Sequence, residues 1–453
     1  MPIDPQAYRP ARAILSLGDS FYDPVAPADF PETILRFRND RAAREVGLDT
    51  LDDAAWVAHF GRFAPLPGTL PQPLALRYHG HQFRTYNPEI GDGRGFTFAQ
   101  LRDRDGRLMD LGTKGSGQTP WSRFGDGRLT LKGGVREILA SEMVEALGVP
   151  TSRSFSLIET GEALYRNDEP SPTRSAVLVR LSHGHIRIGT FQRLAHARDE
   201  AAMRRLVGYV LRELYGEDGD DPLRLLDLVI GRAATLAARY MAAGFVHGVL
   251  NSDNINITGE SFDYGPWRFA GTWDPSFTAA YFDHDGLYAF GRQPEAIHWD
   301  VMQLAVALRL LVAAEPMIAL LDTFAGRYQP AITGALLWRL GRQPRDPAGD
   351  RATVQEAIER ALRASGAGLD RFFFDAFAQP LPDGYGGEWN EARALLDRHA
   401  PRAGRTHSFW RGEPCGMAIE QVEAIWSRIA GADDWSALHA SVATIREMAA
   451  ALR

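Results

Sequence analysis

The chain has 453 residues, more than one hydrophobic core usually supports, so two packed regions with an appended segment are the starting expectation. Its 45% hydrophobic and 24% charged residues match an ordinary folded protein and leave little room for extended disorder. The formal net charge of -7 is spread as interleaved Arg and Asp/Glu without a basic stripe, which argues against a nucleic-acid partner.

No apolar run approaches the roughly 20 residues that span a bilayer, so no membrane partner is expected. Met1-Pro2-Ile3-Asp4 lacks the basic-then-apolar pattern of a signal peptide, and the expected location is cytoplasmic. The single cysteine, Cys415, can form neither an intramolecular disulfide nor a cysteine-based zinc site, so a bound metal must use oxygen or histidine ligands.

Residues 1–77 mix short helical stretches with a proline-rich loop from Pro65 to Pro73, and read as an N-terminal lead-in. Residues 78–190 carry strand signals at Phe96 to Leu101, Leu108 to Thr113, Ser154 to Ile158 and Ala176 to Leu181, with a turn at Asp105-Gly106. One helix interrupts them from Gly134 to Leu147, where Val135, Ile138, Leu139, Met143 and Leu147 share a face and Gly148-Val149-Pro150 stops it. This stretch is expected to form a strand-rich nucleotide-binding lobe.

Residues 191–345 turn helical, with segments at Ala201 to Leu214, Leu223 to Ala243, Glu295 to Ala314 and Met317 to Tyr328. A Gly/Asn/Asp-rich span from Gly244 to Gly291 interrupts them, as active-site loops on a helical scaffold do. Residues 346–453 read as a helical C-terminal extension. Strands followed by helices predict the α+β class.

The first chemical signal is Gly91-Asp92-Gly93-Arg94-Gly95, running into a strand. Its glycines let the backbone approach phosphates and Arg94 adds a charged donor, although the same pattern also makes ordinary hairpin turns. Lys114 ends the next strand and Glu137 sits on the following helix, the order in which kinases pair a lysine with a glutamate to grip the α and β phosphates. Taken alone, both also fit solvated surface charges.

His247-Gly248-Val249-Leu250-Asn251-Ser252-Asp253-Asn254, followed by Asp263-Tyr264-Gly265, can be laid on the kinase pattern H-R-D-L-x-x-x-N and D-F-G. His247 takes the histidine place, Asn254, seven residues on, takes the metal-holding asparagine place, and Asp263 supplies the second metal ligand. The place of the catalytic aspartate holds Val249, which cannot accept a proton. Either the protein is inactive or another carboxylate has taken over, and Asp253 is the nearest. Arg180 and Arg187, flanking Ser182-His183-Gly184-His185, suit bidentate phosphate contacts, with surface salt bridges as the plain alternative. Two histidines with no third ligand nearby do not make a zinc site.

Together Tyr78 to Phe83, Gly91 to Arg94, Lys114 to Pro120, Phe124 to Arg128, Arg136-Glu137, Arg180 to Arg187, Gly244 to Asn254 and Asp263 to Pro266 resemble the selenoprotein O family of kinase-fold protein AMP-transferases. The likeness runs from Tyr78 to Asp300. It implies a two-lobed protein-kinase-like fold and a magnesium-dependent protein adenylyltransferase. In that family ATP lies flipped, so that its α-phosphate faces a Ser, Thr or Tyr hydroxyl of a protein substrate and pyrophosphate leaves.

By position, the resemblance implies that Gly91, Gly93, Arg94, Lys114, Asp126, Gly127, Arg180 and Arg187 bind the nucleotide, with Glu137 anchoring Lys114. Asn254 and Asp263 would hold magnesium, or manganese in its place, so that Asp263 belongs to both the nucleotide and the metal sites; Asp253 would be the base. Toward the C-terminus Phe409-Trp410-Arg411-Gly412-Glu413-Pro414-Cys415 replaces the family's usual tail, and with one cysteine a redox clamp within the chain is not expected. The competing readings are a kinase-fold phosphotransferase and a catalytically inactive nucleotide-binding pseudokinase.

Overall fold

The computed structural model describes residues 7–167, 169–345 and 351–453. Met1 to Asp4 and the expected start of the C-terminal extension at 346 lie outside the described residues.

The strands up to Ser182 are β1 (Pro10–Ala11), β2 (Tyr22–Pro24), β3 (Ile34–Arg38), β4 (Leu74–Leu76), β5 (Gly80–Gln82), β6 (Thr85–Asn87), β7 (Thr97–Arg102), β8 (Leu108–Lys114), β9 (Leu129–Thr130), β10 (Arg153–Leu164) and β11 (Thr173–Ser182); two short strands, Phe245–Val246 and Arg268–Phe269, pair separately further on. Of β1 to β11, all except the β5–β6 hairpin join one nine-stranded antiparallel sheet in the order β2-β4-β7-β8-β11-β10-β3, with β1 paired to β7 and β9 to β11. Lys114 closes β8, every residue of which is buried.

A strand buried on both faces needs two covers. One is the Leu131–Ala146 helix, capped by Thr130, whose hydroxyl accepts the Gly133 N–H at 3.1 Å. This cap starts the helix before the apolar periodicity that begins at Val135. Gly134 brings the helix close to the sheet, since a Cβ there would lie 2.3 Å from Leu157 Cδ1. The other cover is N-terminal: Trp56 and Phe60 of the Asp53–Phe60 helix pack with Phe98, Leu111, Val177 and Val179, and Trp56 stacks on Phe155 at 4.9 Å. The stretch expected as a lead-in thus supplies β1 to β4 and one face of the core.

After β11 the chain is largely helical. The Pro222–Ala243 helix begins at an Asp221 cap with proline at its first position and ends at Gly244 in the left-handed region, φ 67°. It packs against the Gln293–Leu308 and Phe324–Arg339 helices. Two expected helices are broken. Glu200–Tyr209 widens into a π turn over Val210–Tyr215, and Met317 to Tyr328 divides between Ala314–Leu321 and Phe324–Arg339, where the Thr323 hydroxyl takes the Leu320 carbonyl at 2.6 Å. Among the described residues no helix is long and apolar enough to cross a membrane. The final helices, Ile419–Ala432 and Ser436–Ala451, return to pack on Leu131–Ala146.

Candidate active site

The glycine-rich loop before β7 is fixed by steric demand. A Cβ on Gly95 would sit 2.1 Å from the Thr113 carbonyl, and one on Gly91 would sit 2.5 Å from the Trp121 ring. A second loop, carrying Asp126 and Gly127, is laced to the first: the Thr119 hydroxyl donates to the Asp92 carbonyl at 2.6 Å and the Ser122 hydroxyl to the Gly93 carbonyl. Asp126 is held by Arg166 at 2.8 Å, and Gly127 turns the chain at φ 71°. Arg94 is exposed beside them.

Lys114 and Arg180 lie on adjacent strands, and Arg180 is opposite Gly112, where a Cβ would lie 2.6 Å from the His185 ring. Lys114 Nζ donates to Glu137 Oε1 and stands 3.7 Å from Asp263 Oδ1, with Lys114 and Glu137 both buried. Arg180 pairs with Asp263 Oδ1, while Arg187 reaches Asp263 Oδ2 at 3.4 Å and Asp92 Oδ1 at 3.2 Å. Both guanidinium groups lie over the Phe262 ring, at 5.2 and 5.0 Å from its centroid, so the residue before Asp263 is the platform for the two cations. The cations Lys114, Arg180 and Arg187 are matched by the acids Glu137, Asp263 and Asp92.

Burial alone would raise the Asp263 carboxyl, but Arg180, Lys114 and Arg187 outweigh it and hold the group well below the usual carboxylate range. The Nε–H groups of Arg180 and Arg187 are buried and have no acceptor among the described residues.

His247 joins the two loops that carry the remaining groups. Its Nε2–H donates to the Phe262 carbonyl at 3.0 Å and its Nδ1 accepts the Val249 N–H at 3.4 Å. Burial lowers its pKa and keeps the ring neutral, in keeping with a structural role. The Asn254 amide nitrogen donates to the Val249 carbonyl at 3.1 Å, which leaves its amide oxygen available to a cation.

Asp253 is half-buried, with Oδ1 sealed from solvent and without a hydrogen-bond partner among the described residues. Burial is the main cause that pushes its carboxyl up to about 7, with the Asp263 charge acting in the same direction. Gly80 is packed on it: a Cβ there would lie 2.7 Å from Asp253 Oδ1. The β5–β6 hairpin holds the loop through backbone donors, His81 N–H to Ser252 Oγ at 2.7 Å and Phe83 N–H to Asn251 Oδ1 at 3.0 Å. Ser252 donates in turn to Gln192 Oε1 at 2.7 Å. The sequence reading assigned no role to Gly80, Asn251, Ser252 or Gln192, although Gly80 lies in the run from Tyr78 to Phe83 and Asn251 and Ser252 lie in the run from Gly244 to Asn254.

Gly91, Gly93, Arg94, Lys114, Asp126, Gly127, Arg180, Arg187, Asp253, Asn254 and Asp263 all line a single cavity of about 800 Å³, and Val249 lines it too. Glu137 stands behind Lys114 rather than on the wall. His183 lies elsewhere, with its ring nitrogens at the Leu108 and Leu214 carbonyls, and His185 faces Asp110 at 3.4 Å.

A model of the family described as protein adenylyltransferase SelO matches residues 6–395, a wider span than the motifs between Tyr78 and Asp300. A protein named protein nucleotidyltransferase YdiU from Gloeobacter violaceus is 44% identical, over 97% of this chain and 95% of its own. A protein of the same name from Synechococcus elongatus is 43% identical over 96% and 93%, and one from Azotobacter vinelandii 36% over 80% and 74%. With a family match over most of its length and relatives of this identity covered nearly end to end, the chain belongs to the protein adenylyltransferase SelO family.

Proposed function

We propose that the cleft transfers AMP from ATP to a Ser, Thr or Tyr hydroxyl of a protein substrate, with magnesium bound at Asn254 and Asp263. The observation that carries this reading is the convergence of three buried cations, a carboxylate with one unpartnered oxygen, Asp253, and two oxygen ligands on one cavity whose kinase-base position is Val249. A strand lysine paired to a helix glutamate, with Asn254 and Asp263 on facing loops, also supports a protein-kinase-like fold.

The donor set fits a magnesium ion. Among the described residues no three His, Cys, Asp or Glu side chains cluster to hold a metal. Magnesium commonly takes one or two protein ligands and completes its shell with phosphate oxygens and water. Bound there, it would neutralise phosphate charge during the transfer. Lys114, Arg180 and Arg187 bind the triphosphate and orient it. Asp253 takes the proton of the acceptor hydroxyl, whose oxygen attacks the α-phosphorus as the bond to the β-phosphate breaks and pyrophosphate departs. Val249 offers no competing base.

The test is incubation of the purified protein with magnesium, an acceptor protein and ATP labelled at either the α or the γ position. Protein label from the α position alone is expected. Label from the γ position alone makes the protein a phosphotransferase, and binding without label from either makes it an inactive scaffold.

A further inference from the structure

Glu137 rides on the Leu131–Ala146 helix, and that helix is gripped from outside by the last two helices of the chain. Glu142 on the same helix is 4% exposed and accepts two bonds from Arg446 of the Ser436–Ala451 helix, Nη2 to Oε1 at 2.6 Å and Nε to Oε2 at 2.9 Å. A two-pronged guanidinium–carboxylate contact fixes orientation as well as distance. Other contacts at Glu142 are longer, Asn39 at 3.3 Å and Arg41 at 3.5 Å.

A second grip lies at the start of the helix, where Lys132 Nζ donates to Glu423 Oε2 at 2.8 Å. Arg174 of β11 ties the C-terminal pair to the sheet, donating to Asp433 at 2.7 Å and to the Ile429 carbonyl at 3.1 Å. Residues 419–451 lie past the end of the family match at 395.

We propose that Arg446 is a positioning residue for AMP transfer: through Glu142 it sets the rotation and height of the helix that delivers Glu137 to Lys114. The proposal rests on the reading of the Lys114–Glu137 pair as part of the phosphate grip. Glu142 lies about 1.4 turns from Glu137, and each residue of helix rotation swings a side chain by roughly 100°, so a small slip at Glu142 carries Glu137 off its lysine. The side chain of Arg446 is 35% exposed, so its replacement leaves no large cavity.

The test compares the wild type with Arg446→Met, Arg446→Lys, Glu137→Gln and the Arg446→Met/Glu137→Gln double variant. kcat/KM for ATP is measured well below each melting temperature. Arg446→Met is expected to lower kcat/KM about 3- to 30-fold, with Arg446→Lys recovering part, and to have no further effect once Glu137 is Gln. Losses that multiply in the double variant, or a lowered melting temperature with kcat/KM unchanged, overturn the proposal and leave Arg446 a purely structural contact. An unchanged kcat/KM in Glu137→Gln alone overturns the role of the Lys114–Glu137 pair, and that of Arg446 with it.

Discussion

In the free protein Asp253 is pressed against Gly80 with one oxygen sealed and unbonded, and burial lifts its carboxyl from 3.8 to about 7. A carboxyl whose pKa is higher in the folded than in the unfolded state favours folding in its neutral form. The wild type therefore gives up stability as pH rises from about 4 to about 7. A lift of this size corresponds to about 4 kcal/mol once the pH exceeds 7. Asn mimics the neutral carboxyl, so Asp253→Asn is expected to be more stable at pH 8 by up to about that amount. With an unfolding entropy of about 2.1 cal/mol/K per residue, the melting temperature of a chain this long rises by about 4 °C. The same substitution removes the proposed base, and transfer is expected to fall by a factor of about 10² to 10⁴. Calorimetric scans at pH 8 and pH 5 without nucleotide, beside the transfer rate, check both arms. The gain should shrink to less than half at pH 5. Equal melting temperatures at pH 8, or a gain independent of pH, would refute the desolvated carboxylate, and retained activity would remove the base assignment.

Asp263→Ala leaves Lys114, Arg180 and Arg187 facing one another without their shared anion, and is expected to cost about 3 kcal/mol at neutral pH and to abolish magnesium-dependent ATP affinity in titration calorimetry. Because the Asp263 pKa is depressed by those cations, its contribution is present above about pH 4 and disappears as the pH falls through the folded value, so wild type and variant should converge in strong acid. Gly80→Ala places a methyl 2.7 Å from Asp253 Oδ1, and should lower kcat more than tenfold with ATP affinity nearly unchanged; a normal kcat would show that the hairpin yields. Burial and the neighbouring Asp370 push the Cys415 thiol up to about 12, so iodoacetamide at pH 8 should label the folded protein far more slowly than the unfolded one, and Cys415→Ser should retain full activity under reducing and oxidising conditions.

The groups that meet in the cleft were legible because each rests on a short local pattern: glycines before a strand, a lysine at a strand end, and His247, Asn254 and Asp263 at set spacings. The long central strands were legible too, since β8 and β11 carry clusters of β-branched and other apolar residues, Leu108, Met109 and Leu111 in one and Ala176 to Val179 in the other. Strands of two or three residues such as β1, β2 and β4 are too short for an alternation to register, and the prolines around Pro65 to Pro73 mask the return of the chain to the sheet. The sealing of Asp253 by Gly80 was hidden because it depends on a hairpin far upstream. Contacts such as Glu142 with Arg446, separated by 304 positions, leave no local trace at all.

The balanced ion lattice around Asp263 has a consequence for how ligands enter. In the free protein Asp263 pairs with Arg180 and stands 3.7 Å from Lys114, so a phosphate arriving alone competes with a resident anion, and on the proposed reading a cation arriving alone would have to pull Asp263 from its partners. Arriving together they would allow an exchange of partners: Asp263 would turn to the metal while Arg180 and Lys114 turn to the phosphates. On the proposed reading the cleft behaves as a gate with two keys, selecting the metal–nucleotide complex over either component by the cost of turning only one.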